Sequence, residues 1–345
     1  MPSPRQLAII AAAGSRKTEY LVNEALADPG KRILLTTYTL NNLACIEQRI
    51  VGKAGCIPPH ITIMSWYGFL LNHWCRPYQR AVLGAPGIIR GIDFQSVRPI
   101  KISQIRARQY YCNQPGDLYK DWVADFAVKV NEETSGAAVR RLDEVFDEIY
   151  IDEVQDLVGY DLEALDFLAR SPMHLVMVGD VRQHTYATNQ NRKNKQYRGA
   201  RIVEWLAPRP DLCRVENWTV SYRSNQAICD FADALYPHLP TTTSANHALV
   251  EPGGILMLKP DQVAAHVAAC RPVILRYNVG FETLGFTATN FGASKGSTHD
   301  HVVIFPTAAI KRYLKTGDPT QLADETRSKL YVAVTRAKHS VAFVV

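Results

Sequence analysis

The stretch from Leu7 to Ala27 restricts the fold more than any other part of the sequence. An apolar run, Leu7–Ile10, leads into a small-residue loop, Ala11-Ala-Ala-Gly14-Ser15-Arg16-Lys17-Thr18, and an amphipathic helical period follows to Ala27. Strand, tight loop and helix in that order make a βα unit, which belongs in a parallel sheet. The same loop aims backbone N–H groups and a helix N-terminus at an anion. In that reading Ala13, Gly14, Ser15 and Arg16 cradle nucleotide phosphates, Lys17 neutralises the β and γ phosphates, and the Thr18 hydroxyl completes the coordination of Mg²⁺. Taken alone, the segment has a second reading, an ordinary strand-to-helix turn carrying a basic residue.

The remaining hydrophobic pattern alternates short β-branched runs with helical periods. Leu7–Ala12, Arg32–Thr37, Ile61–Met64, Glu148–Asp152 and His174–Gly179 read as a first set of buried strands. Val215–Trp218, Ile255–Leu258, Val273–Arg276, Phe286–Asn290, Val302–Phe305 and Ser340–Val344 read as a second. This is the pattern of an α/β fold with largely parallel sheets. A chain of 345 residues accommodates two domains, or three. The expected domains are 1–208 and 211–345, joined at the Pro-rich Ala207-Pro-Arg-Pro210, with a reduced, mostly helical insertion at about 72–147 in the first. With 47% hydrophobic and 21% charged residues, wholesale disorder is excluded. The net charge of +6 permits a polyanionic partner without demanding one. No run approaches the roughly 18–20 apolar residues of a bilayer span, and the N-terminal order does not suit a cleavable signal peptide. Seven cysteines without a CxxC pair read as reduced thiols of a cytoplasmic protein, not a metal cluster.

Two carboxylates, Asp152 and Glu153, close the apolar strand Glu148-Ile-Tyr-Ile-Asp152, at the carboxyl end where open α/β sheets bind ligands. Asp152 suits Mg²⁺, and Glu153 suits orienting or deprotonating an attacking water. Acidic residues after a strand are also common helix caps, but here they extend to Asp152-Glu-Val-Gln-Asp156. The next strand ends in Gly179-Asp-Val-Arg-Gln-His-Thr-Tyr186. At this point the chain resembles the UvrD/Rep family of superfamily 1 DNA helicases. Residues 11–18 resemble that family's motif I, Thr37-Tyr-Thr39 with Arg49-Ile50 its Ia, Ser65-Trp66-Tyr-Gly-Phe69 its Ib, residues 152–156 its II and 179–186 its III. Ser221-Tyr222-Arg223-Ser224 resembles motif IV, Ser294-Lys295-Gly296 motif V, and Tyr331-Val-Ala-Val-Thr335-Arg336-Ala337-Lys338 motif VI. The blocks occur in the family's order from residue 11 to 338.

The resemblance implies two RecA-like P-loop NTPase domains that clamp ATP and convert its hydrolysis into 3′-to-5′ movement along single-stranded DNA. Lys17, Thr18, Asp152 and Glu153 would form one wall, and Gln183 would sense the γ-phosphate. Arg223 and Arg336 would act as arginine fingers, a device worth about 10³–10⁵ in rate elsewhere; read without the motif, they are surface salt-bridge partners. Tyr222 would stack on adenine. For nucleic acid, Thr37 and Thr39 would bond phosphates, while Trp66 and Tyr186 would stack on bases or else belong to the core. From Val181 to Val203 there are six Arg/Lys and no acidic residue. Arg182 and Lys193 in that run, with Lys295, are candidates for phosphate contact; a solvated loop is the other reading.

Three departures from the family pattern stand out. Arg16 occupies the position of the glycine before the loop lysine, where it either crowds the phosphates or points to solvent. Ala12 replaces another glycine, and Thr298 stands where an acidic residue is expected. The family's large accessory domain has no room between Asn278 and Ser294. These features imply a compact translocase acting on single-stranded DNA or a tailed duplex, in a bacterial or phage-infected cell, with a protein partner in place of the missing domain. The alternative is an ATP-gated DNA-binding switch that hydrolyses poorly because of its altered loop.

Overall fold

The computed structural model describes residues 6–99, 103, 106–185, 188–207, 209 and 212–345. The chain divides into two compact units. The first comprises Met1–Ile9, Thr18–Gly179 and Tyr186–Glu216; the second comprises Ile10–Lys17, Asp180–Thr185 and Asn217–Val345. Two short loops distant in sequence, Ile10–Lys17 and Asp180–Thr185, therefore cluster with the C-terminal part of the chain.

Six strands form the first sheet: β1 (Gln6–Ala11), β2 (Ile33–Thr37), β3 (Ile61–Ser65), β4 (Glu148–Asp152), β5 (His174–Gly179) and β6 (Cys213–Trp218). Their order is β3-β2-β4-β5-β1-β6. The registers of β2 with β3, β2 with β4 and β4 with β5 are parallel. Every residue of β1, β2 and β4 is buried, as continuous β-branched runs covered on both faces must be. Sequence periodicity assigns 215–218 to the second set of strands; in the structure β6 instead closes the edge of the first sheet, beside β1. Helices α1 (Lys17–Ala27) and α2 (Leu40–Ala54) make the first crossovers. Between β3 and β4 the chain forms short helical pieces, a two-residue parallel pairing of Ile92–Asp93 with Leu118–Tyr119, and helices α3 (Val123–Glu133) and α4 (Ala137–Val145). Helix α5 (Asp161–Ala169) separates β4 from β5.

The second sheet holds β7 (Gly254–Leu258), β8 (Val273–Arg276), β9 (Thr289–Asn290), β10 (His299–Phe305) and β11 (Ala337–Val344), ordered β7-β11-β10-β8-β9 with every pairing parallel. The run 286–290 yields only the two-residue β9, since Phe286 is tied back to Thr283 through a turn. Helices α6 (Gln226–Ala234), α7 (Val263–Cys270), α8 (Ala308–Thr316) and α9 (Asp324–Val334) flank this sheet. Ile228, Leu275, Phe291, Ile304, Tyr331 and Phe343 are among the residues that fill one face, while Val263, Ile274, Val303 and Ala342 fill the other. Among the described residues no helix is long and apolar enough to cross a membrane.

Candidate nucleotide site and nucleic-acid face

Because β2, β3, β4 and β5 run parallel, Thr37, Ser65, Asp152 and Gly179 all end at one carboxyl edge of the first sheet. Within the first unit, the Thr18 hydroxyl donates to Asp152 Oδ2 at 2.7 Å. The two residues expected to hold Mg²⁺ are thus already neighbours, and an alcohol beside a carboxylate is an oxygen donor set that suits this hard cation. Asp152 Oδ1 accepts the Glu153 N–H at 2.9 Å. Glu153 is buried, stands in the left-handed region at φ 60°, and accepts a hydrogen bond from the Gln155 amide. A non-glycine residue held there costs about 1–3 kcal/mol, and such strain gathers at sites where a side chain must be aimed. Gly179 explains itself on the neighbouring strand. A Cβ there would collide with Gln155 Oε1 and come within 3.0 Å of Val154 Cγ1.

The second unit gathers the small-residue loop with residues of the 179–186, 221–224 and 331–338 blocks. Ser221 Oγ donates to Ala13 O at 2.8 Å, Tyr222 N–H to Gly14 O at 3.0 Å, and Ala12 N–H to Trp218 O at 2.8 Å. Gly14 has φ +80°, and a Cβ on it would sit 2.6 Å from Arg223 Cβ; only glycine meets both demands. Ser15 Oγ is buried with no hydrogen-bond partner among the described residues, a donor left over in the loop where a phosphate oxygen is expected. Lys17 opens α1.

Arg16 resolves the alternative left by the sequence. Its φ of +64° is the left-handed conformation that a glycine would take, so the turn survives the substitution. Its exposed guanidinium lies 4.1 Å from the centroid of the Tyr222 ring. That cation–π contact contributes about 0.5–1 kcal/mol at an exposed site, less than or comparable to the backbone strain of about 1–3 kcal/mol. Tyr222 remains 48% exposed.

Arg336 and Gln183 are both buried and meet each other. Arg336 Nη2 donates to Gln183 Oε1 at 3.2 Å and to Thr335 Oγ1 at 3.3 Å, its Nε donates to Val332 O at 3.0 Å, and its Nη1 to Ser297 O at 3.3 Å. Arg223 Nη1 donates to Thr335 O at 3.0 Å, so Thr335 braces both guanidinium groups. Sequence reasoning missed Tyr331 and Asp180. The Tyr331 hydroxyl donates to Asp180 Oδ2 at 3.0 Å and accepts the Ala13 N–H at 3.3 Å, while Gln183 Nε2 donates to the same Asp180 oxygen at 2.8 Å. Burial, reinforced by the Asp180 charge, holds the Tyr331 phenol well above its ordinary range, so it stays protonated as a donor. Both residues belong to the quoted motifs, and the polar Tyr331 at the head of an otherwise apolar helical run was the available signal.

The nucleic-acid candidates disperse. Thr37 and its neighbour Thr36 are buried, each hydroxyl without a hydrogen-bond partner among the described residues. Thr39 caps α2, its Oγ1 accepting the Asn42 N–H at 3.2 Å. Trp66 is a correction. Its ring is fully buried, its indole N–H donates to Asp161 Oδ1 at 2.7 Å, and Phe69 packs 5.5 Å away; a ring that water does not reach cannot stack on a base. Asp161 also accepts from Thr188 and Asn189, and burial pushes its carboxyl up to about 6 against those bonds. Arg182 is a second correction. Its guanidinium is buried, donates to Pro240 O at 2.5 Å and lies 3.7 Å from Asp233, so it ties the 180–185 segment to the end of α6 instead of meeting phosphate. Lys193 is exposed beside Glu163 at 3.6 Å, and Lys295 is half-buried. Tyr186 lies outside the described residues.

No protein-family model matches the chain, and no curated protein matches it. Solved structures do. The structure of arterivirus nonstructural protein 10, a helicase, in complex with DNA aligns with a TM-score of 0.51 at 15% identity, covering 98% of this chain and 61% of that one. A crystal structure of arterivirus nonstructural protein 10 (helicase) aligns with a TM-score of 0.49 at 16% identity, covering 98% and 59%. The chain thus spans about three fifths of the length of these viral proteins. The first alignment shows the class of fold alone: mixed α/β with parallel sheets, like the RecA-like domains of that helicase.

Proposed function

We propose that this chain is an ATP- and Mg²⁺-dependent motor of the UvrD/Rep type that moves 3′ to 5′ along single-stranded DNA. The observation that carries the reading is the hydrogen-bonded chain of the second unit. It runs from the Ala13 amide of the phosphate loop through Tyr331 and Asp180 to Gln183 and Arg336. A loop that only closed a βα turn would not need its amide wired to a buried arginine. Lys17 and the loop amides take the phosphates. Thr18 and Asp152 would hold Mg²⁺, which would supply positive charge to the phosphate oxygens. Glu153 orients the attacking water and accepts its proton. Arg223 and Arg336 offer fixed positive charge where negative charge grows in the transition state. Gln183, bonded to Arg336, reports the state of that group to the 180–185 segment. The helicase bound to DNA among the structural neighbours supports a nucleic-acid partner for this chain. A partner protein in place of the accessory domain belongs to the same reading.

One contact favours the second reading, an ATP-gated DNA-binding switch: the Arg16 guanidinium covers one face of the ring assigned to adenine. Steady-state phosphate release with and without single-stranded DNA separates the two. The motor predicts release stimulated by DNA and abolished in Lys17→Ala. The switch predicts tight ATP-dependent DNA binding with negligible release. Wild-type turnover in Lys17→Ala would sink both.

A further inference from the structure

Outside the motifs lies a groove of about 530 Å³ in the first unit, walled by residues that include Phe94, Val97, Arg98, Lys120, Trp122 and Arg192. Phe94 and Val97 are 60% and 85% exposed, yet the loop that bears them is anchored. Asp93 Oδ1 accepts the N–H groups of Gln95 and Ser96 at 2.9 Å each, and Asp93 Oδ2 accepts from Asn113 Nδ2 at 2.8 Å. Tyr67 meets the Phe94 ring edge-on at 5.5 Å, and Tyr38 meets Tyr67 at 5.7 Å. Tyr38 lies between Thr37 and Thr39, so this ladder of rings links the groove to the strand end assigned to nucleic acid. The opposite wall is stiffened by Arg98, whose guanidinium sits 3.5 Å from the Trp122 ring centroid and 3.8 Å from that of Tyr110. The rim carries more positive than negative charge: Arg192 is exposed, half-buried Lys120 has its Nζ 3.8 Å from Asp121, which also lines the groove, and the run 181–203 that supplies Arg192 contains no acidic residue.

We infer that this groove binds a segment of single-stranded nucleic acid, with a base stacked on Phe94 and the backbone phosphates drawn to Arg192 and Lys120. An anchored, exposed aromatic beside cations is the combination that grips a strand without reading its sequence. An apolar peptide would cover Phe94 and Val97 but leave the cationic rim unanswered. The inference rests on the motor reading and assigns the base platform that Trp66, being buried, does not provide.

The test is fluorescence anisotropy of the full chain with a short oligo(dT) at several salt concentrations, with thermal unfolding as the check on folding. Loss of one stacked base predicts that Phe94→Ala weakens binding about 5- to 150-fold, and that Phe94→Trp restores it. Arg192→Ala lowers the slope of log K against log salt by about one. Folded Phe94→Ala and Arg192→Ala variants that bind with wild-type affinity and slope would overturn the groove while leaving the motor reading intact. A wild-type chain that binds no oligonucleotide would overturn both.

Discussion

Residues assigned to the nucleotide and residues assigned to nucleic acid were drawn from the same series of sequence blocks, but the fold treats the two groups differently. Gln183, Arg336, Tyr331 and Asp180 are buried, and each is fixed by bonds to the others or to main chain. Thr39, Trp66 and Arg182 are instead absorbed into a helix cap, a core and an internal tie. The difference lies in what each chemistry requires. A triphosphate needs charges and amides held at fixed points, and short loops after strands hold them by local geometry that spacing encodes. A strand-binding face needs exposed rings, and exposure is decided by whatever packs on top. In this chain the cover includes the Asp161–Thr188–Asn189 cluster, which no local pattern announces.

Three measurements sharpen that contrast, the largest effect first. If Trp66 is core, Trp66→Ala destabilises the first unit by about 3–5 kcal/mol; urea unfolding reads this directly, and a change below about 1 kcal/mol would return Trp66 to the surface. Asp161 comes next. Its carboxyl is raised to about 6 by burial, above the ordinary value of about 3.9, so the folded state binds its proton more tightly than the unfolded chain does. Its contribution is therefore fully present below about pH 4 and lost as pH climbs through 6, by up to about 3 kcal/mol. The difference in melting temperature between wild type and Asp161→Asn should shift across pH 4–6 and be flat above it; a flat difference throughout would mean that the carboxyl is not held as described. The smallest effect belongs to Thr39. As a helix N-cap its replacement by Ala costs about 0.5–2 kcal/mol, and a loss of DNA affinity with unchanged stability would reverse the assignment.

Much of the architecture was legible because parallel, doubly covered strands are written as continuous apolar runs. Glu148–Asp152, His174–Gly179 and Val273–Arg276 coincide with observed strands. The sheet to which 213–218 belongs was not legible, since an edge strand reads alike in either neighbour. At the loop, the small residues and Lys-Thr carry the proposed reading of a phosphate cradle, and the departure at Arg16 was visible as a problem. Its solution, a left-handed arginine lying on Tyr222, depends on a residue more than two hundred positions away. Tyr331 escaped notice because a tyrosine in an apolar helix looks like packing until its hydroxyl is seen to bridge Ala13 and Asp180.

The central claim is that Arg336, set by Gln183 and Thr335, serves the turnover of ATP. Single-turnover phosphate release from ATP bound to the protein on single-stranded DNA, comparing wild type with a folded Arg336→Ala variant, tests it most directly. The expected result is hydrolysis slowed by about 10³–10⁵ with nucleotide still bound. Hydrolysis at the wild-type rate in Arg336→Ala would contradict it.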